Sequence, residues 1–221
     1  PKKALDHTVY DNWKEITYEE LTPDGKHAAF TINPQDGDGK IIFYNLKTST
    51  QDSVYRAANI SLTYDSKYAV FKIKPQQNLV KELRRQKKKK DELPKDSLGI
   101  YSFLTRKTEK VPNIKSYKVP EKAGDWVAYQ LEAKKEEKTK ADGQLESDKA
   151  KKLRKNNDDN GYTLVLRKLS DGKETSFDFV TEYQFAKFGQ GLLFSTTGNL
   201  PSLEAGVYWY DLQNEKLNPL Y

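Results

Sequence analysis

The chain has 221 residues, with 38 basic and 32 acidic side chains, a formal charge of +6, and 36% hydrophobic and 12% aromatic residues. Its 14 Tyr, 9 Phe and 3 Trp supply enough apolar bulk for a packed core, which excludes wholesale disorder, and the length suits one ordinary domain or two small ones. The absence of Cys excludes a disulfide framework, a thiolate metal site and a Cys nucleophile; His7 and His27 form no HExxH pair, and no apolar run is long enough for a membrane-spanning helix.

The first 13 residues read as a lead-in segment. The chain begins at Pro1 and contains no Met, which suggests a processed or trimmed chain with any targeting segment removed. From residue 14 onward a repeat organises the sequence. Four segments join a polar turn to an apolar strand: LTPDGKHAAFTI from Leu21, LTYDSKYAVFKI from Leu62, PEKAGDWVAYQL from Pro120 and AKFGQGLLFST from Ala186. The first two match closely, about 40 residues apart. Each is followed by a second strand running into a polar turn: IIFYNLKT from Ile41, LGIYSFLT from Leu98, YTLVLRKLSDG from Tyr162 and GVYWYDLQN from Gly206. A strand-based period near 40 residues is the mark of a β-propeller blade.

The physics of one unit agrees. Asp24-Gly25 supplies a tight turn with a residue free to take positive φ. The AAF, AVF, VAY or LLF triplet packs into the blade. The IIFYNL-type strand alternates inward and outward, as expected nearer a blade edge. One blade cannot bury both faces of its sheet, so stacked neighbours must. The expected fold is all-β, a partial propeller of about four antiparallel four-stranded blades at residues 14–55, 56–112, 113–179 and 180–221; four hairpins in a sandwich are the alternative.

Two charged insertions carry the whole net charge. Lys81 to Asp96 holds 8 basic and 4 acidic residues, and Lys134 to Asn160 holds 9 and 7, leaving 21 of each sign elsewhere. The body therefore offers no broad basic face for nucleic acid. Both insertions, near 77–96 and 134–160, fall between the second and third strands of a blade, which places them on one propeller face. The first predicts a helix around Leu79, Val80 and Leu83, ended by Pro94. The second is of low complexity and closes in an Asn-Asp-Gly loop at 156–161.

The opening Leu5-Asp6-His7-Thr8-Val9-Tyr10-Asp11-Asn12-Trp13-Lys14-Glu15-Ile16, the TPDGK and NLKT elements and the basic insertion KELRRQKKKKDELPKDSLGIYSF together resemble the N-terminal propeller of prolyl oligopeptidase family (S9) serine peptidases, of the type found in Bacteroides-like bacteria. The repeat is also similar to that of TolB. The resemblance implies a propeller that precedes an α/β-hydrolase domain with a Gly-x-Ser-x-Gly nucleophile elbow. That motif does not occur here, so no catalytic residue is carried over and the chain itself is expected to be non-catalytic. The implied role is gating: the propeller covers the active site of the hydrolase domain and admits short peptides. The implied compartment is exported, periplasmic or cell-surface. The competing reading is a stand-alone TolB-like propeller whose insertions dock a protein or peptide. In a third, the lysine run binds an anionic polymer.

Candidate surface residues are few. Trp13, ahead of the first blade, and nearby His7 could meet a partner or substrate. Lys87, Lys88, Lys89 and Lys90 form a basic run whose plain reading is a solvated helix. Asp36-Gly37-Asp38-Gly39 lacks the remaining ligands of a calcium loop and reads as a hairpin turn; Asn157-Asp158-Asp159-Asn160 reads as the polar end of an insertion. No cofactor or metal is expected. An arc of four blades leaves terminal faces uncovered, so self-association through them is expected.

Overall fold

The computed structural model describes residues 13–133 and 155–221. Strands β1 (Lys14–Leu21), β2 (His27–Pro34), β3 (Lys40–Asn45) and β4 (Gln51–Tyr55) pair in sequence order as one antiparallel sheet. Strands β5 (Ala57–Leu62), β6 (Tyr68–Ile73), β7 (Ser97–Ser102) and β8 (Lys107–Val111) form a second. Strands β9 (Ile114–Lys118), β10 (Trp126–Leu131), β11 (Tyr162–Lys168), β12 (Glu174–Phe185), β13 (Gly191–Thr196), β14 (Gly206–Asp211) and β15 (Lys216–Pro219) make a continuous seven-stranded sheet. That sheet is two blades sharing one long strand. The first half of β12 pairs with β11, and from Val180 onward β12 pairs with β13. The change of partner falls at Phe179, whose φ of 53° kinks the strand. The chain is thus an all-β, partial propeller whose sheets do not close into a ring.

The turn sequence explains how the first hairpins form. Thr22 donates its hydroxyl to Asp24 Oδ1 at 2.7 Å and accepts the His27 N–H at 3.0 Å, with Gly25 at φ 68° closing the turn. The second sheet repeats the device: Thr63 donates to Asp65 Oδ1 at 2.6 Å and accepts the Tyr68 N–H at 3.0 Å. Both threonines are buried, with their hydroxyl groups satisfied. The two turns also touch, the Asp24 N–H donating to Ser66 Oγ at 3.0 Å.

Burial between sheets holds the arc together. Phe43, Phe71 and Tyr101 fill the first seam, with Phe43 stacked on Tyr101 at 4.2 Å. Val70, Leu98, Val127 and Tyr129 fill the second. Leu166, Leu192, Phe194 and Tyr210 fill the third. Each fully buried large side chain is worth about 1.5–3 kcal/mol, so the seams dominate the stability. They also correct the expected alternation of the third strands. Ile41, Ile42 and Phe43 are all buried, as are Ser97 to Tyr101 of β7, because these strands lie inside their sheets with a hydrogen-bonded strand on either side.

The first insertion holds helix α1 (Gln77–Arg85). It ends well before Pro94, a second correction. Lys87 takes φ 58°, its N–H donates to the Arg84 carbonyl and the Lys88 N–H reaches back to Leu83, the double closure of a Schellman cap. The helix is tied down at its start, where the Gln77 N–H donates to Asp38 Oδ1 at 3.0 Å and Lys81 pairs with Asp36 at 2.5 Å. The Asp36–Gly39 turn is therefore a β2–β3 hairpin turn that anchors the insertion of the next sheet. Most of the second insertion, residues 134–154, lies outside the described residues; its end at Asn157–Gly161 is a closed turn.

Candidate functional site

The strands β5 and β9 are edge strands of their sheets, and residues of β5, β9 and the second half of β12 come together at one place. A groove of about 520 Å³ runs between them, walled by Ser61, Tyr117, Lys118 and Gln184. Val119 and Phe185 contribute apolar surface, and Glu121 and Lys187 stand at the turn end. A second chamber of about 380 Å³ shares Ser61 and Tyr117 and continues past Asn59 and Lys72. Ser61 and Tyr117 stand between the two.

Irregular pairing shapes this wall. The register shifts between Ile16 and Glu19 in β1, between Ala58 and Ser61 in β5, between Gln130 and Leu131 against β9, and between Val180 and Glu182 in β12. Such bulges re-aim side chains and twist the strand. Within the groove, the Tyr117 hydroxyl lies against the Asn59 carbonyl and 3.1 Å from the Val70 carbonyl. Ser116 Oγ lies 2.8 Å from the Tyr183 hydroxyl and donates to Gln130 Oε1 at 3.0 Å. Gln130 then donates to the Val180 carbonyl at 2.9 Å. This chain of hydrogen bonds links the second, third and fourth blades along their inner strands.

Burial pushes both tyrosines up to about 12, only partly offset by hydrogen bonds to Ser61 and Ser116 respectively. They are neutral hydrogen-bonding groups at any physiological pH. Lys118 is exposed, with its ammonium 2.7 Å from the Tyr183 carbonyl and 5.1 Å from that ring. Lys187 is shared with Glu121 at 3.2 Å. The groove offers hydroxyl, amide and ammonium groups beside the apolar surface of Val119 and Phe185. Among the described residues no cluster of three His, Asp or Glu could hold a metal ion.

The residues singled out in the sequence lie elsewhere. Trp13 is about half exposed at the start of β1, its carbonyl accepting the Gln35 N–H. His7 lies outside the described residues. Lys87 to Lys90 sit in the exposed turn after α1, where Lys88 pairs with Glu92 at 3.5 Å. Asp158 binds Lys115 and Tyr162, and these two partners lower its pKa with a further contribution from Lys90. The ends of the two insertions therefore share one electrostatic neighbourhood. Burial opposes the charge on Lys115, but the hydrogen bonds to Asp158 and Tyr162 hold its pKa above the ordinary lysine value. Trp126 packs on the third seam, and Trp209 covers Gly191.

Sequence reasoning missed Tyr117, Lys118 and Tyr183. A signal existed: IKSYKV from Ile114 and VTEYQF from Val180 align as an inner strand with Tyr fourth and a long polar residue fifth.

No protein-family description matches the chain, and no curated protein does. Solved structures do. The β-propeller domain of the trilobed protease from Pyrococcus furiosus superimposes with a TM-score of 0.50 at 10% identity, over 95% of this chain and 58% of that one. An acylaminoacyl peptidase from Pyrococcus horikoshii gives 0.51 at 11% identity, over 98% of this chain and 33% of that one. A structure from a study of two prolyl endopeptidases gives 0.51 at 10%, over 96% and 30%. The chain has the fold of a β-propeller of the kind these peptidases carry. It spans little more than half the length of the first and about a third of the other two.

Proposed function

We propose that the chain is the propeller region of an exported S9-like serine peptidase, and that it gates the passage of peptides to an α/β-hydrolase domain of the same protein. The carrying observation is the likeness, along nearly the whole chain, to propellers of peptidases, in a sequence whose opening segment independently resembles that family. The inner-strand groove supports the reading, because the hydroxyl groups of Ser61 and Tyr117 and the amide of Gln184 line it and offer hydrogen bonds to the backbone of an extended peptide. In the full-length protein, Gln184→Trp should narrow the groove and lower kcat/KM for octapeptides more than for dipeptides. An equal effect on both lengths would dismiss gating by this groove.

The second reading is a stand-alone binding propeller. Its support is the electrostatic influence of Lys90, in the first insertion, on Asp158, at the described end of the second. Replacing Lys87 to Lys90 with Gln should abolish partner capture under this reading and leave peptide turnover unchanged under the first.

A further inference from the structure

The groove contains one cation without an internal counter-charge. The Lys118 ammonium carries three protons and directs one to the Tyr183 carbonyl at 2.7 Å. Among the described residues no carboxylate pairs with it, whereas Lys72, Lys115 and Lys187 are each matched by Asp96, Asp158 and Glu121. The ring of Tyr183 and its carbonyl hold the ammonium at the wall of the groove. Val119 and Phe185 supply apolar surface in the same groove, and Gln184 supplies an amide.

We infer that this groove binds the C-terminal carboxylate of a short peptide, with Lys118 as its counter-ion and the last side chain resting on Val119 and Phe185. A carboxylate completes the charge pairing that the fold leaves open, and charge-assisted hydrogen bonds from an ammonium are stronger than neutral ones. An apolar last side chain gains by covering Val119 and Phe185. A peptide threaded the other way would set its N-terminal ammonium against Lys118, which like-charge repulsion disfavours. The groove thus selects chain direction. The inference rests on the reading of the groove as a peptide path, and adds which end of the peptide is recognised there.

The test is equilibrium binding of two probes to the purified chain by calorimetry: a tetrapeptide of three alanines and a C-terminal leucine, as the free acid and as the C-terminal amide. The free acid should bind roughly tenfold more tightly, the ratio that a single charge-assisted contact supplies. Lys118→Gln should remove that difference, and Lys118→Arg should restore most of it. Both variants should melt with the parent chain, because the side chain is exposed. Equal binding of acid and amide would overturn the carboxylate assignment and leave the peptide path standing. Binding of neither probe would overturn both.

Discussion

The carboxylate of Asp52 on β4 accepts hydrogen bonds from Arg106 Nε and Nη2, at 2.7 and 2.8 Å, and from the hydroxyl of Tyr101 at 2.7 Å. This clasp crosses the first seam, above the stacked rings of Phe43 and Tyr101. The hydrogen bond from Arg106 holds the Asp52 pKa below the ordinary value against the opposing effect of burial, and Tyr101 adds to it. A depressed carboxylate stabilises the fold fully above its unfolded pKa of about 3.9, and the contribution is lost as pH falls through the folded value. Asp52→Asn should therefore lower Tm modestly at neutral pH and hardly at all near pH 2. Thermal melts across that range check it; a constant Tm difference at every pH would contradict it.

At the alkaline end the buried tyrosines of the inner strands should cost the fold stability. Tyr117 and Tyr183 are raised to about 12 by burial. An acid whose folded pKa is raised keeps its stabilising contribution below the unfolded pKa of about 10 and loses it as pH rises towards the folded value. Each two-unit shift corresponds to about 2–3 kcal/mol. Urea midpoints should fall steeply between pH 10 and 12, and the double variant Tyr117→Phe, Tyr183→Phe should flatten that fall. An unchanged slope would show that neither hydroxyl is buried as described.

Gly99 in β7 has no room for a side chain, since a Cβ there would lie 2.2 Å from the ring of Phe71. That ring fills the first seam and cannot retreat without opening it. Gly99→Ala should cost about 1–3 kcal/mol by overpacking, read as a drop in urea midpoint. A neutral result would mean that the seam is looser than described.

How much of this was legible in the sequence follows from what repeats. The TPDG and TYDS turns and the AAF and AVF triplets recur because each blade must make the same hairpin and bury the same central strand, so the second and third strands could be marked from residues alone. The inner strands escaped because bulges break their alternation: Thr17 and Tyr18 occupy the shift in β1, as Asn59 and Ile60 do in β5. The end of α1 was misplaced because a Lys took the left-handed cap position where Gly is the usual signal. The anchoring of α1 by Asp36 and Asp38 was hidden because it joins residues of two blades.

Among the described residues, large apolar side chains stand exposed on the first and fourth blades of this chain. On the first, Ile16 is 60% exposed, Leu21 58% and Tyr55 62%; on the fourth, Leu193 is 40% and Leu220 61% exposed. Apolar faces of this kind seek cover. Sedimentation velocity should show association that grows with concentration and weakens in Ile16→Glu and Leu193→Glu. A monodisperse monomer at high concentration would contradict it.

The central claim, that this propeller serves a peptidase, is tested most directly by the reading frame downstream of Tyr221. The account predicts further blades and then a hydrolase domain with a Gly-x-Ser-x-Gly elbow followed by Asp and His. A stop codon within a few residues, or a downstream domain without that elbow, would contradict it and leave the insertion face as the functional surface.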